Sequence, residues 1–365
     1  MKPELTSSPS IYIVLSTFEG GAHVREQIES IFAQSHADWR MLVRDDGSAD
    51  ETIRHLEELA GRDVRLEILR DDLGHLGGDG SFSLLLKTAL ARGADWIAIS
   101  DQDDVWKREK LARQIARLDE SGARPEESVL LHSDLEVVGA DLGAICPSLH
   151  RLMRLRHEQE APLATLLVQN FVTGCTCVVS RALLDRALPI PRDAIVYDWW
   201  LALCAGSYGR IVFDSDSTVL YRQHSGNQIG VKPYPRALMK LMAKALRPRR
   251  HSSDEFLDTI RQACALKRHL IRLRSDLENS PREDRAGNRG LEEACEFVSA
   301  YLAVYSRGMS RFQRVRELSR LRVRRQDLIL NASLKLKLLL TPIELPSNPE
   351  DAEPFVRRVR RHAGS

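Results

Sequence analysis

The sequence predicts an α/β fold: a doubly wound, mostly parallel sheet with an added C-terminal α-helical region. Three observations predict it. Short apolar runs rich in β-branched residues alternate with stretches of helical spacing, which implies parallel strands joined by right-handed crossovers. Polar and acidic clusters stand directly after three of those runs, at the strand ends where such sheets bind ligands. Beyond Pro233 only helical patterns remain.

The first run, Ile11 to Ser16, reads as a strand, and the pattern from His23 to Gln34 after a Gly pair reads as a helix. Trp39 to Arg44 is then a strand, and Asp50 to Leu59 a helix opened by an acidic cap. A strand over Arg65 to Leu69, a helix over Phe82 to Ala91, a strand over Asp95 to Ser100 and a helix over Lys107 to Leu118 continue the alternation. Strands at Ser128 to His132, near Cys175 to Ser180 and at Ser217 to Leu220 complete the pattern. Helical spacing returns over Asp254 to Leu273, Leu291 to Tyr305 and Phe312 to Leu330, with a polar linker from Asn279 to Arg289. The expected domains are 1–230, catalytic in type, and 231–345, basic and helical, followed by a flexible tail over 346–365.

At 365 residues the chain exceeds the usual size of one domain. Its 43% hydrophobic and 28% charged residues can support a core, which excludes a disordered or fibrous protein. The net charge of +2 hides an asymmetry: residues 231–365 hold 29 Lys and Arg against 16 Asp and Glu, net +13, and residues 1–230 carry net −11. A basic, Leu-rich half suits an anionic membrane surface or a phosphorylated lipid carrier, or else is a solvated helical surface. Nucleic acid is not expected, because aromatics do not interleave the basic residues and no reading motif is present. The six cysteines form no CxxC pairs, no signal peptide precedes Ile11 and no run spans a bilayer. These features predict a cytoplasmic protein with reduced thiols, peripheral at the inner face of the plasma membrane.

Asp101-Gln102-Asp103-Asp104 follows an apolar strand directly, and carboxylates this crowded are costly unless a cation neutralises them. Mg²⁺ or Mn²⁺ with a diphosphate suits such a cluster, because hard divalent ions take oxygen ligands and share them with substrate phosphates. Asp104 can instead cap the following helix. Asp45-Asp46-Gly47-Ser48 ends the second strand, where a carboxylate can accept from a base imide or ribose hydroxyl, and Thr17 and Glu19 end the first. Asp198 precedes an apolar helix and can serve as a base or as its cap. Trp199 and Trp200 offer aromatic faces to a sugar ring, with one of the two expected in the core. His224, in a polar loop after a strand, can complete a metal site begun by Asp103, and Arg222 can offset diphosphate charge. His75 and Gly77-Gly78-Asp79-Gly80 read as a flexible turn within reach of a diphosphate.

Val-Leu-Ser-Thr-Phe-Glu, Val-Arg-Asp-Asp-Gly-Ser-Ala-Asp and Ile-Ser-Asp-Gln-Asp-Asp-Val-Trp together resemble the family-2 inverting glycosyltransferases of GT-A fold, above all bacterial rhamnosyltransferase-type members. The resemblance covers about residues 10 to 230. It implies nucleotide-sugar contacts at Thr17, Glu19, Asp46 and Asp101, metal ligands Asp103 and His224, the base Asp198, and acceptor contacts at Trp199 and Trp200. It implies transfer of a sugar, best L-rhamnose from dTDP-L-rhamnose, to a glycan or lipid-linked acceptor in surface polysaccharide assembly. A UDP-hexose-dependent enzyme of the same fold, a sugar nucleotidyltransferase and a non-catalytic membrane-associated scaffold are the alternatives.

Overall fold

The structure is a computed structural model and describes residues 10–224, 254–278, 285–306 and 308–340. The expected tail 346–365, the stretch 231–253 and the Ser225-Gly226-Asn227 end of the histidine motif lie outside the described residues.

In chain order the elements are β1 (Ile11–Thr17), α1 (Val24–Phe32), β2 (Arg40–Asp45), α2 (Thr52–Ala60), β3 (Leu66–Ile68), α3 (Gly77–Ala91), β4 (Trp96–Ser100), β5 (Val105–Trp106) and α4 (Lys110–Glu120). There follow β6 (Val129–Val138), β7 (Ala144–Cys146), α5 (Leu149–Met153), α6 (Pro162–Leu166), a 3₁₀ turn (Gly174–Thr176), β8 (Val178–Ser180), α7 (Arg181–Ala187), α8 (Tyr197–Tyr208) and β9 (Arg210–Arg222). The described C-terminal helices are α9 (Asp254–Glu278), α10 (Arg285–Ala303), α11 (Arg311–Arg320) and α12 (Leu328–Leu340). Two compact units result. Among the described residues the first holds 10–149, 172–190 and 209–224, and the second holds 150–171, 191–208 and everything from 254 onward.

The first unit is built on one mixed sheet of nine strands, ordered β3-β2-β1-β4-β8-β6-β9-β5, with β7 beside β6. β1, β2, β3 and β4 pair in parallel, as their apolar runs and intervening helices dictate, and β1 is buried from Ile11 to Leu15. β8 runs antiparallel to both β4 and β6, whereas β6 and β9 are parallel. The parallel half thus follows the sequence pattern, and the other half mixes both directions. β5 pairs antiparallel with the end of β9, Val105 opposite Leu220. That short ladder ties the acidic motif to the last strand.

Two local expectations change. Gly77 to Gly80 form the first turn of α3 and not a flexible turn, because the Asp46 carboxylate accepts from the Leu76 and Gly77 N–H groups, at 2.7 Å each, and caps the helix from another strand. The helix expected over Phe312 to Leu330 is two helices. Arg322 adopts φ 56° and closes α11, and Asp327 Oδ1 accepts from the N–H groups of Ile329 (2.9 Å) and Leu330 (3.1 Å) to start α12.

The second unit gathers around α8, apolar on nearly every side, with Trp200, Leu201 and Leu203 at 1% exposure or less. A helix hydrophobic all round belongs in a core. It packs with α6, α9 and α10, where Phe256, Leu266, Val298 and Tyr301 are buried.

Candidate active site

The acidic motif begins one residue past β4, and β9 ends at Arg222 beside it. His224 Nε2 lies 2.8 Å from Asp103 Oδ2, with both side chains about one-fifth exposed or less. Arg222 is buried at 3% exposure: it donates from Nε to Asp103 O at 2.9 Å and from Nη1 to Ala140 O at 2.6 Å, and pairs with Glu26. The guanidinium therefore braces the loop from within, which corrects the expectation that it faces a diphosphate. The ring of His23, at the start of α1, sits 4.8 Å from that of His224. Burial first, then the charges of Arg222 and His224, lower the His23 pKa below its ordinary value and favour a neutral imidazole.

Three loops are stitched together along this sheet edge. Gln102, the middle residue of the acidic motif, clamps the Phe18 backbone: its Oε1 accepts from the N–H at 2.9 Å and its Nε2 donates to the carbonyl at 3.0 Å. A Cβ on the neighbouring Gly20 would stand 2.4 Å from Gln102 Oε1, so the Gln102 amide could keep its place only against a glycine. Glu19, exposed at φ 51°, donates its N–H to Ser48 Oγ (2.8 Å) and accepts from the Ala49 N–H (2.7 Å). Thr17, fully buried, donates to Asp45 Oδ1 at 2.8 Å.

Asp46 is buried at 2% exposure, and its carboxylate is engaged by Leu76 N–H, Gly77 N–H and Arg44. Burial works against its charge, but hydrogen bonds from Leu76, Arg44, Ser81 and Gly77 together outweigh it and hold its carboxyl below the usual range. Arg44 is the residue that sequence reasoning missed. All five of its N–H groups are used: on Asp71 at 2.8 and 3.1 Å, on Gly74 O and Ser81 Oγ at 2.7 Å, and on Asp46. A charged residue inside an apolar strand was its signal. Phe18, 42% exposed, and His75 meet at the mouth with ring centroids 4.8 Å apart, and His75 Nδ1 lies 3.0 Å from Asp46 O.

The remaining candidates belong to the second unit. Asp198, partly buried in the first turn of α8, accepts from Asn170 Nδ2 at 3.1 Å. Trp199 is partly exposed and donates Nε1–H to Leu166 O at 2.6 Å. Trp200 is 1% exposed, with its ring edge-on to His269 at 5.3 Å. It is a core residue, and the expectation of a sugar-stacking face there is corrected.

Two donor sets bear on a metal. Ligand atoms of Asp101, Asp104 and Cys175 lie within 4.8 Å of one another. Burial first, then the charges of Asp101 and Asp103, push the Asp104 carboxyl well above its usual range, and burial does the same to the Cys175 thiol. A thiol is a soft ligand, and a set of Asp101, Asp104 and Cys175 suits Mg²⁺ or Mn²⁺ less well than one of oxygens and nitrogens. Asp103 and His224 fit better: a carboxylate oxygen and an imidazole nitrogen side by side, near solvent. Among the described residues none of the six cysteines forms a disulfide, and no helix is long and apolar enough to cross a membrane.

A mixed α/β sheet with acidic loops laced along the carboxyl ends of β1, β2 and β4 defines the GT-A class of architecture. Residues 12–124 match the family model Glycosyl transferase family 2, and the likeness to that family rests on this stretch of the chain. The dTDP-rhamnosyl transferase RfbG of Shigella flexneri is 25% identical over 225 residues, 59% of this chain and 73% of that one. The UDP-Glc:alpha-D-GlcNAc-diphosphoundecaprenol beta-1,3-glucosyltransferase WfgD of Escherichia coli is 31% identical over 108 residues, 30% of this chain and 40% of that one. The fold is shared with residues 1–349 of S. aureus TarS, solved in complex with UDP-GlcNAc, at a TM-score of 0.50 and 14% identity over 97% of this chain and 92% of that one.

Proposed function

We propose that this chain is an inverting, metal-dependent glycosyltransferase that moves L-rhamnose from dTDP-L-rhamnose onto a glycan or lipid-linked saccharide during bacterial surface polysaccharide assembly. The observation that carries the reading is the 2.8 Å approach of His224 to Asp103 on a sheet edge shared with the Thr17–Glu19 and Asp45–Ala49 loops. Similarity to a dTDP-rhamnosyl transferase supports the choice of donor. In this reading the loops at Thr17, Glu19 and Asp46 shape the nucleoside site, Asp46 through the segment it caps, and Asp101 helps hold ribose or metal. Asp103 and His224 would hold Mg²⁺ or Mn²⁺, which when bound offsets the charge of the diphosphate.

Asp198 serves as the base. It takes the proton of the acceptor hydroxyl as that oxygen bonds to the anomeric carbon and the bond to the diphosphate oxygen breaks on the opposite face, so configuration inverts. Trp199 is kept as an acceptor contact, and the enzyme works at the inner membrane face, where lipid carriers present phosphates. A UDP-hexose donor is the second reading, supported by the UDP-glucose-using relative.

Incubating the full chain with dTDP-L-rhamnose, UDP-glucose, UDP-GlcNAc and GDP-mannose, with Mn²⁺ or with EDTA, tests this by the nucleoside diphosphate released. Release from dTDP-L-rhamnose that EDTA abolishes is expected. Release from UDP-glucose alone replaces the donor, and release unaffected by EDTA removes the metal.

A further inference from the structure

Both carboxylates that end β2 are already filled from within the protein. A carboxylate offers about four lone-pair sites. Asp45 accepts from Thr17 Oγ1 (2.8 Å), Ser48 Oγ (2.6 Å), Gly47 N–H (3.0 Å) and Ser48 N–H (2.8 Å). Asp46 accepts from Arg44 and from the Leu76 and Gly77 N–H groups, and His75 Nδ1 stands 3.0 Å from its Oδ2. Neither carboxylate keeps a site for the N–H of a base, so that contact falls to a neighbouring group.

His75 is that group. Its Nδ1 faces two acceptors of Asp46, the backbone carbonyl and Oδ2, each at 3.0 Å. A ring nitrogen between two acceptors carries the hydrogen, which leaves Nε2 of the neutral ring an acceptor on the far side. The side chain is 60% exposed, and among the described residues no protein group engages Nε2. The ring is also fixed in place. Its backbone lies between Gly74, whose carbonyl accepts from Arg44 at 2.7 Å, and the two N–H groups held by Asp46. Gly74 and Gly77 adopt φ 68° and 72°, left-handed values that turn the chain sharply on either side of His75. One flank of the ring packs on Phe18, whose backbone Gln102 clamps. A lone pair held this firmly beside an exposed aromatic ring suits the polar edge of a flat base.

We propose that His75 is the specificity-determining residue for the base, its Nε2 accepting the ring N–H of a uracil or thymine imide. Cytosine and adenine present an unprotonated ring nitrogen at the corresponding edge, and two acceptors face to face repel. A site built to pair one hydrogen rejects a base that lacks it. This inference rests on the nucleoside site proposed above and names the group that reads the base there. It holds for a dTDP or a UDP donor alike, since both bases carry the imide.

The test is calorimetric titration of the full chain, with Mn²⁺ present, by dTDP, UDP, CDP and the base-N-methylated forms of dTDP and UDP. The wild type should bind the better of dTDP and UDP about tenfold more tightly than its methylated form and than CDP. His75→Phe keeps a ring against Phe18 but removes the acceptor, and it should bring both ratios to within about twofold. Its affinity for CDP should be no weaker than that of the wild type, which also shows that the site still folds. Ratios that survive in His75→Phe would overturn the role of His75 and leave the nucleoside site standing. Equal losses for every nucleotide in this variant would make His75 a general support of the loop and overturn imide recognition, as would a wild type that binds dTDP, UDP and CDP alike. Failure of the wild type to bind any of them would remove the nucleoside site itself, and the proposal with it.

Discussion

His224 lies within hydrogen-bonding distance of Asp103 although 121 positions separate them, and their contact exists because β5 pairs with the end of β9. The first prediction concerns this pair. Asp103→Ala and His224→Ala should each weaken Mn²⁺ binding to the donor-free protein at least about tenfold, measured by the loss of free-ion signal in electron paramagnetic resonance. Unchanged affinity in both variants would place the cation elsewhere.

Arg44 ties the end of β2 to the loop before α3. Arg44→Met removes five hydrogen bonds and leaves the buried Asp46 carboxylate without its guanidinium, which should cost about 3–5 kcal/mol in urea unfolding. Arg44→Lys keeps the charge but cannot span Asp46, Asp71 and Gly74 at once, so the KM for donor should rise more than kcat falls. A loss within about 0.5 kcal/mol for Arg44→Met, typical of surface positions, would remove the bracing role.

Gln102 and Gly20 form one device. Gly20→Ala drives a methyl into the Gln102 amide, and Gln102→Ala removes the same clamp on Phe18. Each should raise the donor KM, and the double variant should be little worse than either single one, since sites that share a contact are not additive. Full additivity would separate the two.

His269 couples stability to pH. Burial first, with help from Arg272, lowers its pKa to about 4. The unfolded chain therefore binds the extra proton near pH 6.5 and the folded chain only near 4, so stability is full above about pH 6.5 and falls as pH drops through that window. The loss by pH 4 should be roughly 3 kcal/mol. Melting temperatures of the wild type and His269→Gln between pH 7 and 4 should converge as pH falls, and parallel curves would contradict this.

The parallel half of the sheet and the three strand-end clusters were legible because apolar alternation is local and each cluster abuts its strand. Asp103 and His224 were legible as types of ligand. Their meeting in one site was expected, but the two-residue strand that brings it about is too short to leave a pattern. Arg44 escaped because its five hydrogen bonds go to four residues, of which Asp71, Gly74 and Ser81 lie 27 or more positions away, and which tryptophan is the core one was not legible: adjacent tryptophans on a helix point about 100° apart, so one faces the core when its neighbour does not. Gly77 to Gly80 looked like a turn because the carboxylate that caps them is Asp46, 31 positions before Gly77.

The closure of β9 onto β5 also sets an order of events in folding. Residues 11–120 can form their parallel ladders from nearby segments, but the partner of Asp103 arrives only when a strand ending at Arg222 docks, and such distant closures are slow. If Asp103 and His224 hold the cation, its affinity should emerge late in refolding, after most sheet signal has returned, and a nascent chain that has not yet extruded β9 would already hold the loops after β1 and β2 while lacking half of that pair.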